Sequence, residues 1–416
     1  MYTLTNVLRP YAWGSPTAIA TLLGRTPSGG PEAELWLSAH RDSPSLATSP
    51  DGGIGPLDAL ISADPDGMLG SPCRSTFGDQ LPFLAKILAA AEPLSLQVHP
   101  TLRQAQEGFA REETAGVPRD AADRNYKDDN HKTELILALT DFEALCGFRS
   151  AVASRAVFEH LAAVFDLAAA TFPPVLLNVI SDLSGTDEPA ALRAAFHRLI
   201  TGGSDVSAAA AAVVTVLRSG APMTPHQREL STVVSLNGTY PGDPGVLLSL
   251  LLNRVSLKPG EAIYVPAGTV HVYLCGLGVE VMACSDNVLR GGLTRKHVDV
   301  PEVMKTVEFR AIPVPMSQAD ITELGQEIWA PPFGEFQLQR AVLEPGGSPV
   351  PLAQNGPMLV IAVEGSALMD SPRGDMLLER GASVFVPARE NPVVAHPVSG
   401  ARLTAVLYAV TVAGCS

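Results

Sequence analysis

A repeat near the end of the chain limits its fold more than any other feature. Leu257-x-x-Gly260 leading to Val265-Pro266-Ala267 returns as Leu378-x-x-Gly381 leading to Val386-Pro387-Ala388, and Gly260 to Gly381 and Pro266 to Pro387 span the same 121 positions. Each unit is a β-branched or aromatic run closed by a Pro turn, the pattern of a strand ending in a tight corner. Two such units predict two similar β-barrels, of the cupin or jelly-roll kind. After the turn the copies diverge. The first runs on to His271, where the second places Pro392. The second copy keeps the turn and drops the chemistry.

The rest of the chain is organised around the first copy. Between Leu257 and His297 lie His271, Glu280, Asp286, Arg290 and Lys296, a dense set of reactive groups in an otherwise apolar stretch. Upstream, Leu84 to Leu88 and Leu94 to His99 read as two strands about an Ala91-Glu92-Pro93 turn, which together suggest a hairpin. Thr101 to Glu113 turns helical. A polar loop to Asn130 follows, and His131-Lys132-Thr133-Glu134 runs into another strand at Leu135. From 151 to about 237 alanine dominates and apolar residues recur at three and four, with Phe158, Leu161, Val164 and Phe165 on one face. Glu188-Pro189 and Thr224-Pro225 look like helix starts. The fold class expected is mainly β with an α insert: two cupin-like or jelly-roll-like barrels plus a helical domain. The boundaries are residues 1–150 together with 238–310 for the catalytic barrel, 151–237 for the insert, and 311–416 for a C-terminal barrel without a metal site.

Composition excludes several function classes. A net charge of −14 with no basic run argues against nucleic acid, whose backbone demands a basic footprint. The longest apolar runs fall short of the roughly 20 residues that span a bilayer, so no membrane partner is expected. The N-terminus lacks a secretory pattern, and the five scattered cysteines contain no Cys-x-x-Cys pair, so a reducing cytoplasm fits best. In so acidic a chain, an anionic substrate needs a local cluster of basic groups.

Metal-ligating candidates are weak singly. Gln97 and His99 sit at i and i+2, on one face of a strand; an ordinary buried, hydrogen-bonded pair would look the same. His271 follows a turn onto a strand, and Glu134 could equally be a surface carboxylate. Combined, two imidazoles, one carboxylate and one amide form a set that zinc accepts while leaving a position for substrate. Such a site carries a charge near +1 and draws anions. His40, His131, His160, His197, His226, His297 and His396 show no such grouping and read as surface or structural.

Three segments resemble the signature segments of the type I phosphomannose isomerases: Leu94 to Pro100, Tyr126 to Glu134 and Val279 to Lys296. Tyr11-Ala12-Trp13-Gly14, Ala33-Glu34-Leu35-Trp36 and Tyr240-Pro241-Gly242-Asp243 extend the match over most of residues 1–310. Arg295 and Thr133 depart from the prolines usual in that family. The resemblance implies one zinc ion per chain held by Gln97, His99, Glu134 and His271, with Arg290 as the catalytic arginine. It also implies a pocket lined by Lys86, Ser95, Lys132, Glu280, Asp286 and Lys296.

The reaction so implied, mannose 6-phosphate to fructose 6-phosphate through an enediol, moves a proton between neighbouring carbons. It needs a Lewis acid or fixed cation for the developing oxyanion, and a positioned base. Glu280 is the first candidate for the base, with a pKa raised by apolar neighbours. Lys132 or a metal ligand could share that role. Lys86, Lys132, Arg290 and Lys296 form the basic cluster for the phosphate. The expected partner is a small sugar phosphate, the expected assembly a monomer or weak homo-oligomer. Two rivals stand beside this reading: another metal-dependent cupin enzyme such as a non-haem iron oxygenase, and a non-catalytic sugar-binding cupin.

Overall fold

The computed structural model describes residues 1–220 and 222–414. Three antiparallel sheets and a helical region make up the chain. An eleven-stranded sheet carries the first barrel; nine-stranded and four-stranded sheets enclose the second.

The strand Phe83–Ala90 explains how the barrels meet. Its sequence, FLAKILAA, does not alternate, and all eight residues are buried. A strand covered on both faces has no solvent side to mark with polar residues. Leu84, Lys86, Leu88 and Ala90 belong to the interior of the first barrel, whereas Phe83, Ala85, Ile87 and Ala89 pack in one cluster with Leu359, Ile361, Tyr408 and Val410 of the second. In the strand Met358–Glu364 the other parity (Met358, Val360, Ala362) fills the interior of the second barrel. Each buried aliphatic side chain in this shared layer contributes roughly 1.5–3 kcal/mol relative to exposure.

The repeat is visible in space. Strands Ala262–Val265 and Ser383–Val386 stand at matching positions before their Pro turns. The N-terminal strand Tyr2–Thr5 pairs with Ser383–Val386, and Leu46–Thr48 and Ile54–Pro56 extend the same sheet. Segments assigned from sequence to the first barrel thus also build the second. At three or four residues each, these strands carry no pattern that reveals which sheet they join.

The expected hairpin between Leu84 to Leu88 and Leu94 to His99 does not form. Phe83–Ala90 pairs with Glu34–Leu37 and with the thirteen-residue strand His271–Ala283, while Leu96–Val98 pairs with the beginning of that long strand and with Leu289–Gly292. The long strand itself makes the corner. Its register shifts between Tyr273 and Cys275, and Gly276 takes φ 130°, where a Cβ would lie 2.6 Å from the Phe142 ring. Before this bend it pairs with Phe142–Phe148; after it, with Glu134–Ala138.

Among the described residues, five helices between Ala151 and Thr239 form the helical region, with Phe158, Leu161, Val164 and Phe165 buried together as their spacing implied. Glu188-Pro189 does open a helix, capped by Asp187, whereas Thr224-Pro225 lies in the turn before Gln227–Thr239. The helix Leu102–Thr114 starts at a capping box formed by Thr101 and Gln104. Cys73, Cys146, Cys275 and Cys284 are free thiols, and Cys415 lies outside the described residues. No single helix among the described residues is long and apolar enough to cross a membrane.

Candidate metal centre and active site

Strand register brings distant residues onto one wall. Gln97 lies directly across from both His271 and Arg290, and cross-strand partners present their side chains on the same face. Glu134 opens its strand opposite Val265 and Met282, beside the corner turn that delivers His271. The turn is also tied to the ligand strand: the Gly268 N–H donates to the His99 carbonyl at 2.8 Å.

His99, Glu134 and His271 converge so that one donor atom of each falls within 4.8 Å of the others, all buried. His99 Nε2 lies 3.2 Å from Glu134 Oε1, and His271 Nε2 lies 3.4 Å from Glu134 Oε2. The opposite ring nitrogens decide the tautomers. His99 Nδ1–H donates to the Asn287 carbonyl at 2.7 Å, and His271 Nδ1–H donates to the Thr269 carbonyl at 3.1 Å. A carbonyl only accepts, so in the neutral ring each Nε2 is left with its lone pair. Burial, joined by the nearby Lys132, pushes His99 down to about 4, which keeps that ring neutral near pH 7. Two lone pairs facing a carboxylate demand a cation between them.

The Lys132 ammonium meets part of that demand, pairing with Glu134 Oε1 and lying 3.3 Å from His99 Nε2. His271 Nε2 stays buried without a hydrogen-bond partner. This donor set, two imidazoles and a carboxylate with the Gln97 amide directly across from His271, fits a divalent ion such as zinc. Burial opposes the charge on Glu134, but the adjacent Lys132 outweighs it and holds the carboxyl well below its ordinary range. It is ionised, as a ligand must be.

A second network lies in the same barrel. Lys86 Nζ is 2.8 Å from Glu280 Oε2 and 3.6 Å from Glu34 Oε1, and Trp36 Nε1–H donates to Glu34 Oε2 at 2.7 Å. Burial works against the Lys86 charge, yet Glu280 and Glu34 together raise its pKa. Burial raises the pKa of Glu280, as expected from its apolar neighbours, with Lys86 pulling the other way.

The four basic residues grouped from sequence separate into two pairs. Lys86 and Lys132 face carboxylates inside the barrel, whereas half-buried Arg290 and exposed Lys296 do not. Among the described residues, Arg290 and Lys127 are the charged groups that bear on Lys296, and both are cations. Ser95, half-buried, immediately precedes the strand Leu96–Val98. Asp286 is half-buried, its N–H donating to Asp128 Oδ2 at 2.8 Å and its carboxylate 3.7 Å from His40 Nε2. His40 is therefore grouped after all: it is buried, edge-on to Trp36, and clustered with Asp42 and Asp286. Trp36 and Asp42 are near His40 in the chain, but no spacing rule links it to Asp286. Tyr273 was also missed. Fully buried, its hydroxyl donates to Glu134 Oε2 at 3.3 Å. Its position two residues beyond His271 on a strand was the available signal.

Comparison with known proteins agrees with this geometry. Residues 1–151 match the phosphomannose isomerase type I catalytic domain. The mannose-6-phosphate isomerase of Escherichia coli (strain K12) is 37% identical over 395 residues, covering 94% of this chain and 96% of that protein. The chain belongs to the type I phosphomannose isomerase family. Mannose-6-phosphate isomerase 1 of Arabidopsis thaliana is 32% identical over 379 residues, covering 86% of this chain and 81% of the plant protein. Among solved structures, mannose 6-phosphate isomerase from Salmonella typhimurium bound to fructose 6-phosphate and zinc superposes with a TM-score of 0.86 at 35% identity, covering 99% of both chains.

Proposed function

We propose that this protein is a zinc-dependent aldose–ketose isomerase that interconverts mannose 6-phosphate and fructose 6-phosphate through an enediol, with one zinc per chain. The observation that carries the reading is the convergence of His99, Glu134 and His271, with both imidazoles held so that Nε2 lone pairs face the carboxylate. Gln97 is the fourth ligand. When bound, zinc would supply Lewis acidity for the sugar oxygens on C1 and C2. The family's substrate, named in the relatives, supplies the phosphate.

The chain's own residues do the rest. Glu280 carries the proton between C1 and C2, its raised pKa bringing a carboxylate closer to the acidity such a transfer needs. Lys86 holds that carboxylate in place from the neighbouring strand. Lys132, already beside Glu134, is placed to donate to a sugar oxygen. Arg290 adds a fixed cation near the same oxygens and, with Lys296, receives the phosphate at the mouth, because these two cations are not engaged with internal carboxylates. Ser95 and Asp286 line the entrance. The aliphatic barrel interior of Leu88, Ile136, Ile263 and Val265 keeps the field of these groups unscreened.

We assign residues 151–237 to a helical insert in the catalytic barrel and 311–416 to a metal-free barrel that supports it. A reducing cytoplasm suits the free thiols. A coupled assay for fructose 6-phosphate, run before and after chelation, tests the function. Turnover lost with the metal and restored by zinc is expected. Isomerisation indifferent to chelation, or oxygen consumption restored by iron, would remove the proposal.

A further inference from the structure

Two motifs singled out in the sequence, Tyr126 to Asn130 and Ser285-Asp286-Asn287, contribute few of the groups assigned above. In the structure they grip one another through a single amide. Asn287 is fully buried, and its side chain is spent on the facing loop. Its Oδ1 accepts from the Lys127 N–H at 2.7 Å and the Asp128 N–H at 3.3 Å. Its Nδ2 donates to the carbonyls of Asp128 and Asn130, each at 2.8 Å, and lies 3.1 Å from Asp128 Oδ1. Two backbone donors on one side and two backbone acceptors on the other fix the amide orientation. Asp128 completes the clasp by accepting from Ser285 Oγ–H at 2.7 Å and from the Asp286 N–H at 2.8 Å.

The same residue reaches the metal centre through its main chain. The Asn287 carbonyl accepts the His99 Nδ1–H. Where that carbonyl sits is set by where the side chain is latched. The loop it latches runs directly into Lys132 and Glu134, and its own segment leads into the strand Leu289–Gly292, which carries Arg290. Asn287 thus touches three segments that carry functional groups and sets the spacing among them.

We propose that Asn287 is a positioning residue for metal binding: its amide clasps the 126–130 loop so that its carbonyl holds His99 in the Nδ1–H tautomer, with Nε2 aimed at the site. The inference rests on the functional reading above. A backbone carbonyl behind a ligating histidine fixes ring orientation and tautomer, and disturbing such a partner costs metal affinity.

Asn287→Asp is the sharpest variant. It preserves shape and the Oδ1 acceptor but turns the Nδ2 donor into an acceptor facing two carbonyls and the Asp128 carboxylate. Zinc affinity by chelator competition should fall roughly 10- to 100-fold. The visible spectrum of the cobalt-substituted protein should change, reporting altered ligand geometry. KM at saturating zinc should move less than the metal affinity. A folded Asn287→Asp protein with the wild-type spectrum and unchanged zinc affinity would overturn the proposal, since a loop fastening with no bearing on His99 would alter thermal stability alone. If that variant does not fold, Ser285→Ala decides, because it removes the hydroxyl that bridges Asp128 and Asn130 and accepts the Asn287 N–H at 3.2 Å. Zinc affinity weakened about tenfold or more supports the proposal; any smaller change overturns it. Wild-type protein measured alongside separates the two levels. If it bound no zinc, the functional reading would fail and this inference with it.

Discussion

Ile263, Tyr264 and Val265 in the first barrel correspond to Val384, Phe385 and Val386 in the second, and both triplets run into Pro-Ala. Beyond that point the two turns serve different ends. In the first, Gly268 adopts φ 80° and donates its N–H to the His99 carbonyl, and the chain proceeds to His271. In the second, Arg389 holds Gly268's position and pairs with Asp64, with its guanidinium donating to the Tyr2 hydroxyl at 3.0 Å. One corner joins a metal ligand to its neighbour. The other fastens the N-terminal segment to the sheet.

What fills the barrels differs in the same way. The first encloses Lys86, Gln97, His99, Lys132, Glu134, His271 and Glu280, all buried, whereas the second encloses residues such as Val360, Ala362, Met369, Val384 and Leu407. Buried charges cost several kcal/mol each in desolvation and recover it only through close partners. The first barrel therefore gains reactivity at the expense of stability. The aliphatic second barrel and the layer shared between the two offset that cost.

This contrast can be broken most severely at the ligands. His99→Ala or His271→Ala should strip the metal and the activity together, seen by elemental analysis beside the coupled assay; an active, metal-replete variant would erase the distinction. Glu280→Gln should retain the metal and lower kcat by roughly 10²- to 10⁴-fold, the range for a general base. In the wild type, kcat/KM should fall on the acid side as Glu280 takes up its proton. Because burial raises its pKa, that fall should begin above the ordinary glutamate range. A pH profile flat through weak acid would count against Glu280 as the base. Arg290→Ala should keep the metal and lose about 10²- to 10³-fold in kcat, as for one preorganised donor at a developing oxyanion. Unchanged turnover would exclude it.

Leu407→Ala, inside the second barrel, sharpens the comparison from the other side. It should destabilise the fold by about 2–5 kcal/mol in chemical denaturation, with kcat per folded molecule preserved. Smallest of all should be Pro392→His, which restores the imidazole at the position equivalent to His271. Among the described residues the groups arranged to hold a metal are His99, Glu134 and His271, and His40, Asp42 and Asp286, neither of which includes a residue of 311–416, so metal stoichiometry should stay at that of the parent.

Much of this was legible because local chemistry reported it. The Pro turns, the helix faces around Phe158 and Leu161, and the i, i+2 pair Gln97 and His99 are short-range patterns. The pairing of Phe83–Ala90 was not, since a strand buried on both faces has no alternation to show which neighbour it takes, and a nearby turn suggested a hairpin instead. Nor could spacing reveal that Lys86 is held by Glu34 and Glu280, both far off in sequence, although Lys132 pairs with Glu134 only two residues on. Tyr2–Thr5 joins the second barrel through contacts some 380 residues away, as in the register of Tyr2 with Phe385. His40 beside Asp286 is hidden for the same reason.

The claim beneath all of this is a single dication in the first barrel. Anomalous diffraction at the zinc edge, from crystals of zinc-loaded protein, addresses it most directly. The account predicts one strong peak per chain, bounded by His99 Nε2, His271 Nε2, the Glu134 carboxylate and the Gln97 amide. A peak in the second barrel, or none among those four side chains in protein shown to contain zinc, would contradict it.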